Sequence, residues 1–174
     1  MKRTFELIDQ NIEKETFEKL IDICFRYSSY FSFSEHFTKF QDDYRNKNKL
    51  KYGLEPFLIK KFKTTHWHCI ITTTENPLNI FIYKNNELAK EIITKYFNNI
   101  YLRNNDGDLY DFHEDISFFA EKKLLLGTIS HTPICNLYPS TEEQLRDFKN
   151  IVAWREIGFL EKEQIAIDLP VNLG

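Results

Sequence analysis

A chain of 174 residues, 42% of them hydrophobic and 16% aromatic, carries a net charge of only −3. This length suits a single domain over residues 1–174, and the apolar content argues against intrinsic disorder. The near-neutral charge argues against a duplex nucleic-acid binder, which neutralises phosphates with clustered lysines and arginines. With no run of about 18 apolar residues and no secretory signal, the chain is expected to be a soluble cytoplasmic protein without a membrane span.

The first part of the chain predicts two strands and two helices. Short apolar runs at 5–8 and 30–34 are typical of strands, the second because apolar and small polar residues alternate. From Phe17 onward, apolar side chains recur at i, i+3, i+4 and i+7, which predicts an amphipathic helix over 13–27. A shorter helix is expected at 55–63, with a proline tolerated in its first turn.

The middle of the chain predicts a hairpin followed by a helix. Residues 67–71 and 78–83 are both rich in β-forming side chains, and residues 74–77 between them have turn chemistry. These two segments are therefore expected to pair with each other. Apolar residues at helical spacing predict a helix over 86–98.

The next part of the chain predicts a meander and a further helix. The strands of this meander are expected at 116–120, 124–130 and 134–138. Ser140 and Glu143 match a capping box, which predicts a helix that carries Leu145 and Phe148 on one face. Residues 164–169 are expected to add an edge strand.

The short turns between strands favour antiparallel pairing, which decides the expected fold class. We predict an α+β fold, with a single, mainly antiparallel β-sheet and three to four helices packed on one face.

Three cysteines are present, Cys24, Cys69 and Cys135, and each lies among apolar neighbours. An odd number in a chain expected to be cytoplasmic favours buried, reduced thiols over a disulfide framework.

The common motifs of nucleotide enzymes and serine hydrolases are absent from the sequence. It contains no P-loop, no Rossmann fingerprint and no Gly-x-Ser-x-Gly elbow, and only 5 glycines in all. No cofactor is therefore expected.

A small set of histidines and one carboxylate would form the site if the chain were an enzyme. His66 and His68 are two residues apart, so on a strand both imidazoles project from the same face. Asp115 lies beside other carboxylates, and paired carboxylates can divide acid and base work. Together with His131 these residues are the candidate catalytic set, and no complete set of metal ligands is predicted.

Two charged regions are candidate binding surfaces. Residues 45–63 are basic with interleaved aromatic side chains, a combination that binds single-stranded nucleic acid by charge and stacking. Residues 142–168 are richer in acids and could steer a basic protein partner. The candidate binding residues on these and neighbouring segments are Tyr44, Tyr52, Trp67, Glu142 and Trp154.

A resemblance to a known family lies within the predicted meander. Its motifs are Glu114-Asp115-Ile116-Ser117-Phe118-Phe119, Leu126-Gly127-Thr128-Ile129-Ser130-His131, and Leu137-Tyr138-Pro139 followed by Thr141-Glu142-Glu143. Over roughly residues 96–148 the chain resembles a family of small uncharacterised cytosolic proteins from Bacillus and relatives, some labelled as linked to stage III sporulation. The resemblance implies no established activity, so it assigns no catalytic residue.

Three functional hypotheses arise from these patterns. The first is a non-enzymatic binding protein, such as an immunity-type protein that neutralises a toxin by covering it. The second is a small metal-dependent or acid/base enzyme that uses the histidines and Asp115. The third is a single-stranded nucleic-acid accessory protein that uses residues 45–63. The sequence predicts no oligomeric state.

Overall fold

A computed structural model describes most of the chain. The described residues are 3–35, 49–102, 113–159 and 166–167. Within these ranges, the side chains of Lys49, Lys51, Tyr52 and Phe159 are not described.

Ten strands and four helices form the described structure. The strands are β1 (Arg3–Leu7), β2 (Tyr30–Glu35), β3 (Leu58–Thr64), β4 (His66–Trp67), β5 (Ile70–Ile71), β6 (Leu78–Lys84), β7 (Glu114–Ala120), β8 (Lys123–Ile129), β9 (Ile134–Leu137) and β10 (Trp154–Phe159). The helices are α1 (Lys14–Tyr27), α2 (Lys49–Leu54), α3 (Glu87–Tyr96) and α4 (Glu142–Lys149). Only α1, α3 and α4 are eight or more residues long among the described helices.

Eight of the strands form one sheet in the order β10-β1-β9-β8-β7-β2-β6-β3. Every neighbouring pair is antiparallel. The α+β class with a large antiparallel sheet is thus confirmed. The prediction of a single sheet is not confirmed, because β4 and β5 pair only with each other and form a separate two-stranded hairpin.

The sheet buries apolar side chains on both of its faces. On one face the four helices complete a helix-side core, in which side chains of α1, α2, α3 and α4 meet those of the strands. The largest of its fully buried side chains are Phe5, Phe17, Phe31, Phe33, Phe81, Tyr83, Phe97, Tyr101, Phe118 and Phe148. On the other face the β4–β5 hairpin completes a smaller hairpin-side core, formed by Trp67, Leu78, Ile80, Ile82, Phe119, Leu124, Tyr138 and Ile167.

The predicted helix at 55–63 is wrong. Helix α2 ends at Leu54, a 3₁₀ turn occupies Glu55–Phe57, and the chain then becomes strand β3. Pro56 has no backbone N–H to donate to the preceding turn, so α2 cannot continue through it. Phe62 packs against the hairpin-side core while its neighbour Lys61 is exposed, and this alternation is that of an outer strand.

The predicted pairing of 67–71 with 78–83 is also wrong. Strand β6 pairs with β2 and β3, whereas Trp67 pairs with Ile70 inside the small hairpin. All but the last residue of β6 are buried. A strand buried on both faces lies inside a sheet and needs a long partner on each side, which two-residue strands cannot supply.

Other predicted elements are confirmed with small shifts. Helices α1 and α3 and the meander β7-β8-β9 lie where the periodicity places them. Helix α4 begins one residue later than expected, because its N-cap is Thr141 rather than Ser140. The Thr141 hydroxyl accepts a 3.1 Å hydrogen bond from the backbone N–H of Gln144. Strand β10 had no counterpart among the predicted elements.

Of the predicted strand at 164–169, only Ala166 and Ile167 lie among the described residues. Ala166 forms an isolated antiparallel bridge with Lys123. Among the described helices, none is long and apolar enough to cross a membrane.

Candidate functional site

The four residues of the candidate catalytic set lie in two separate places. His66 is exposed on β4, and the ring of His68 is buried over Gly127 of β8. The Asp115 carboxylate instead accepts a hydrogen bond from the backbone amide of Ser130, which is three residues further along the chain than Gly127. At about 3.3 Å per strand residue, roughly 10 Å separates the two places, which is too far for one shared ion or proton transfer.

The candidate binding residues are also placed differently from one another. Trp67 and Trp154 are buried: Trp67 packs against Phe119, and the Trp154 indole donates a 3.2 Å hydrogen bond to the Phe148 carbonyl. Glu142 is exposed and lies 3.3 Å from Arg3. Tyr44 and the side chain of Tyr52 are outside the described residues.

Part of the basic segment 45–63 lies on strand β3. The ammonium group of Lys60 lies 5.6 Å from the centre of the Phe62 ring, and that of Lys61 lies 4.7 Å from the Phe81 ring. These aromatic rings therefore already have a cation over one face, which leaves less ring surface for stacking with bases.

A buried network at one end of the sheet contains His113. Its Nδ1 lies 2.9 Å from a carboxylate oxygen of Glu35, and its Nε2 lies 2.7 Å from the hydroxyl of Tyr83. The imidazole is fully buried between the rings of Phe33 and Phe81, with centroids 4.9 and 5.0 Å away. Both ring nitrogens are thus held inside an aromatic cage built from side chains of β2 and β6.

Asp115 forms a second buried connection at the same end of the sheet. Its carboxylate accepts hydrogen bonds from the Ser34 hydroxyl at 2.6 Å and from the Ser130 amide at 2.7 Å. The Asp115 backbone has a positive φ of 52°, a conformation that non-glycine residues rarely adopt. Nearby, a Glu114 carboxylate oxygen lies 2.8 Å from Nε2 of His131.

The β4–β5 hairpin covers a row of small and polar residues on the sheet. Ser32 pairs with Ser117, Ser117 with Gly127, and Gly127 with Asn136 on four neighbouring strands. Residues paired in this way lie on the same face of the sheet. The His68 ring occupies the space that Gly127 leaves, since a Cβ on Gly127 would lie 2.5 Å from the ring. The hairpin depends on this glycine for its close approach to the sheet.

Three side chains of different chemistry meet where the hairpin contacts the sheet. The Cys69 sulfur lies 3.7 Å from Nδ1 of His68 and 3.8 Å from the amide nitrogen of Asn136. The rings of Tyr138 and His68 meet edge to face, with their centroids 5.8 Å apart. We call His68, Cys69 and Asn136 the hairpin site.

Cys69 differs from the other two cysteines. Cys24 and Cys135 are buried, as expected, and burial raises the pKa of both thiols. Cys69 is exposed, so the expectation of a buried thiol is wrong there. Partial burial of its sulfur still raises the pKa of the Cys69 thiol, an effect that its contact with Asn136 opposes.

His68 is held in its neutral form. Burial lowers the pKa of His68 from 6.5 to about 4, and the neighbouring Gly127 backbone only partly opposes this effect. A neutral imidazole has one ring nitrogen free of a proton, so His68 can act as an acceptor or ligand at neutral pH.

The neutral state of His68 predicts a pH-dependent stability. Between pH 6.5 and about 4, the unfolded chain binds a proton at His68 that the folded chain excludes. Stability contributed by this residue is therefore present above pH 6.5 and decreases as the pH falls, by about 2 kcal/mol at pH 4.5.

Urea unfolding at pH 7 and pH 4.5, in buffer containing a chelator, measures this effect. The loss of stability on acidification should be about 2 kcal/mol smaller in His68→Gln than in the wild type, whereas the exposed control His66→Gln should match the wild type. Equal losses in all three proteins would show that His68 titrates normally in the folded state.

A shallow, open groove of about 320 Å³ lies between α1 and α4. We call it the α1–α4 groove; its lining includes Lys19, Asp22, Ile23, Arg26, Asp147 and Ile151. Ile23 is buried and Ile151 is half-buried, so the floor is apolar while the rim carries charges of both signs.

Asp147, which lines the α1–α4 groove, is held in place by its neighbours. One of its carboxylate oxygens accepts a 2.7 Å hydrogen bond from the Tyr27 hydroxyl and lies 3.7 Å from the Arg26 guanidinium. The carboxylate raises the pKa of Tyr27, because it accepts a hydrogen bond from the protonated phenol and its charge opposes a second negative charge beside it. Asp147 thus presents a fixed, partly exposed carboxylate.

Neither the hairpin site nor the α1–α4 groove was predicted. Cys69 and Asn136 meet through strand register, and α1 and α4 meet through packing, so no local pattern marks either one. The one sequence signal is Gly127, which stands inside a strand of large apolar residues and indicates a close approach by another group.

Within the part of the chain that the structure describes, no three His, Cys, Asp or Glu side chains lie close enough together to hold a metal ion. Comparison of the chain with known proteins finds no matching family model, no matching curated protein and no matching solved structure.

Proposed function

We propose that this protein is a non-enzymatic binding protein that recognises another protein, in the manner of an immunity-type protein that neutralises a toxin by covering it. The observation that carries the proposal is the α1–α4 groove, with its apolar floor and charged rim.

The composition of the α1–α4 groove matches the anatomy of protein–protein contacts. In such contacts a small apolar centre is surrounded by polar residues that remain partly hydrated. Ile23 and Ile151 supply the centre, and Lys19, Asp22 and Arg26 supply the rim. The open shape suits a protruding side chain of a partner better than an enclosed substrate, because small-molecule pockets bury most of their ligand.

The rigid setting of Asp147 also supports recognition of a protein. Because Tyr27 and Arg26 already hold its carboxylate, a partner loses little free energy in ordering it. Rim charges of both signs favour one orientation of the partner and speed its approach, rather than adding much affinity.

Co-expression with the products of neighbouring genes tests this proposal. We expect one of them to inhibit growth alone, to be neutralised by this protein, and to co-purify with it. Lys19→Glu combined with Arg26→Glu reverses two exposed rim charges and should weaken binding at least about tenfold.

Lys14→Glu is the matched control, because Lys14 is an exposed cation of the same helix that does not line the groove. It should bind like the wild type, and circular dichroism should show that all variants are folded. Equal binding by the rim variant and the wild type would exclude the groove as the contact surface. Failure of every neighbouring product to bind would count against an immunity-type function.

A further inference from the structure

We propose that the β4–β5 hairpin is a lid, which opens from the sheet as a unit while the rest of the protein stays folded. In the closed form it covers the row of Ser32, Ser117, Gly127 and Asn136, and in the open form this row faces solvent. This inference is independent of the proposed function, since the hairpin and the helices lie on opposite faces of the sheet.

The backbone of the hairpin is bonded to itself rather than to the sheet. Strands β4 and β5 pair only with each other. At the base of the hairpin, the Thr72 amide donates a 2.8 Å hydrogen bond to the Thr65 carbonyl, which holds the two ends together. The hairpin can therefore move as one body without breaking a backbone hydrogen bond of the eight-stranded sheet.

The apolar contact that keeps the hairpin closed is small. Trp67 is the one buried hydrophobic side chain of residues 65–72, and it packs against Phe62 and Phe119 with ring centroids 5.8 and 5.9 Å away. Ile70 is only partly buried, and Ile71 is 78% exposed. Opening the hairpin thus exposes far less apolar surface than unfolding the chain, so its free-energy cost is correspondingly smaller.

Polar atoms without hydrogen bonds lie on both sides of this contact. The hydroxyls of Ser32 and Ser117 on the sheet and Nε1 of Trp67 on the hairpin are buried, with no hydrogen-bond partner among the described residues. Ser117 pairs with Gly127, where a Cβ would meet the His68 ring, so both serines lie on the face that the hairpin covers. Buried unpaired polar groups destabilise the closed form, and water pairs them when the hairpin opens.

Thiol labelling under native conditions tests the proposal. In a Cys69→Ser background, Ser117→Cys places a reporter thiol on the sheet beneath the hairpin. Cys24 and Cys135 are buried in the helix-side core and report global unfolding, and mass spectrometry distinguishes the three sites. We expect the reporter thiol to react at least about 100-fold faster than the two native thiols. Its rate should change little in dilute urea, because opening a small hairpin exposes little surface, whereas reaction of the native thiols should accelerate steeply.

A variant that loosens the lid gives the second readout. Trp67→Ala removes the apolar contact that keeps the hairpin closed, so the reporter thiol should react at least about tenfold faster. His66→Ala is the matched control, because His66 is the exposed neighbour of Trp67 on the same strand, and it should leave the rate unchanged. Circular dichroism checks that all variants are folded.

Two outcomes would overturn the proposal. The first is a reporter thiol that reacts at the rate of Cys24 and Cys135 and with their urea dependence, since the hairpin would then leave the sheet only in global unfolding. The second is an unchanged rate in Trp67→Ala, because the reagent would then reach the thiol without displacing the hairpin. Ser32→Cys, on the neighbouring strand, is the reporter if Ser117→Cys does not fold.

Discussion

Replacing His113 with alanine is expected to lower the free energy of unfolding by about 4 kcal/mol. The substitution removes the imidazole that contacts the Glu35 carboxylate and the Tyr83 hydroxyl. It therefore takes a partner from a buried carboxyl group and opens a cavity between the rings of Phe33 and Phe81. Both effects destabilise the folded state and neither is relieved by solvent, because His113 is fully buried.

Urea unfolding at neutral pH measures this loss. His66→Ala is the control, since an exposed histidine should contribute less than about 0.5 kcal/mol. Tyr83→Phe removes only the hydroxyl and should cost about 1 kcal/mol, which separates the hydrogen bond from the cavity. If His113→Ala cost less than about 1 kcal/mol, the network would be a consequence of the fold and would contribute little to its stability.

Gly127→Ala is expected to lower the free energy of unfolding by about 2 kcal/mol. The added Cβ would lie 2.5 Å from Cδ2 and 2.7 Å from Cγ of His68, both well inside contact distance. Trp67, next to His68, is packed into the hairpin-side core, so the ring cannot move away without disturbing that core. The hairpin must therefore shift away from the sheet.

A double-mutant cycle separates this clash from any intrinsic cost of alanine at residue 127. His68→Ala removes the ring that the new methyl group meets, so Gly127→Ala should cost at least about 1 kcal/mol less in that background. The four proteins are compared by urea unfolding. Strictly additive costs would mean that the two residues do not oppose each other in space.

The elements that were predicted correctly depend on local patterns. The apolar spacing from Phe17 defines α1, and alternation with short turns defines the meander of β7, β8 and β9. Strand β3 was mistaken for a helix because its apolar positions are irregular, and the register of β3 against β6 shifts between Leu58 and Lys60. The partners of β6 could not be predicted, because pairing between distant segments leaves no local trace in one sequence.

In the candidate site, too, local patterns identified single residues but not the residues that they contact. His68 was singled out for its spacing from His66, but its real neighbours are Cys69 and Asn136. Asn136 reaches the hairpin only because β9 pairs with β8 in the observed register. The cage around His113 likewise combines side chains from separate strands, and neither its burial nor its contacts could be read from neighbouring residues.

The place of β1 in the sheet has a consequence during synthesis on the ribosome. This strand lies between β9 and β10, where Phe5 faces Leu137 on one side and Glu156 on the other. At about 5–20 residues per second, translation of the intervening chain takes on the order of ten seconds. The apolar side chains of β1 stay without their strand partners for that time. The seam formed by β9, β1 and β10 is therefore closed late, after the central strands β2, β6 and β7 have all been made.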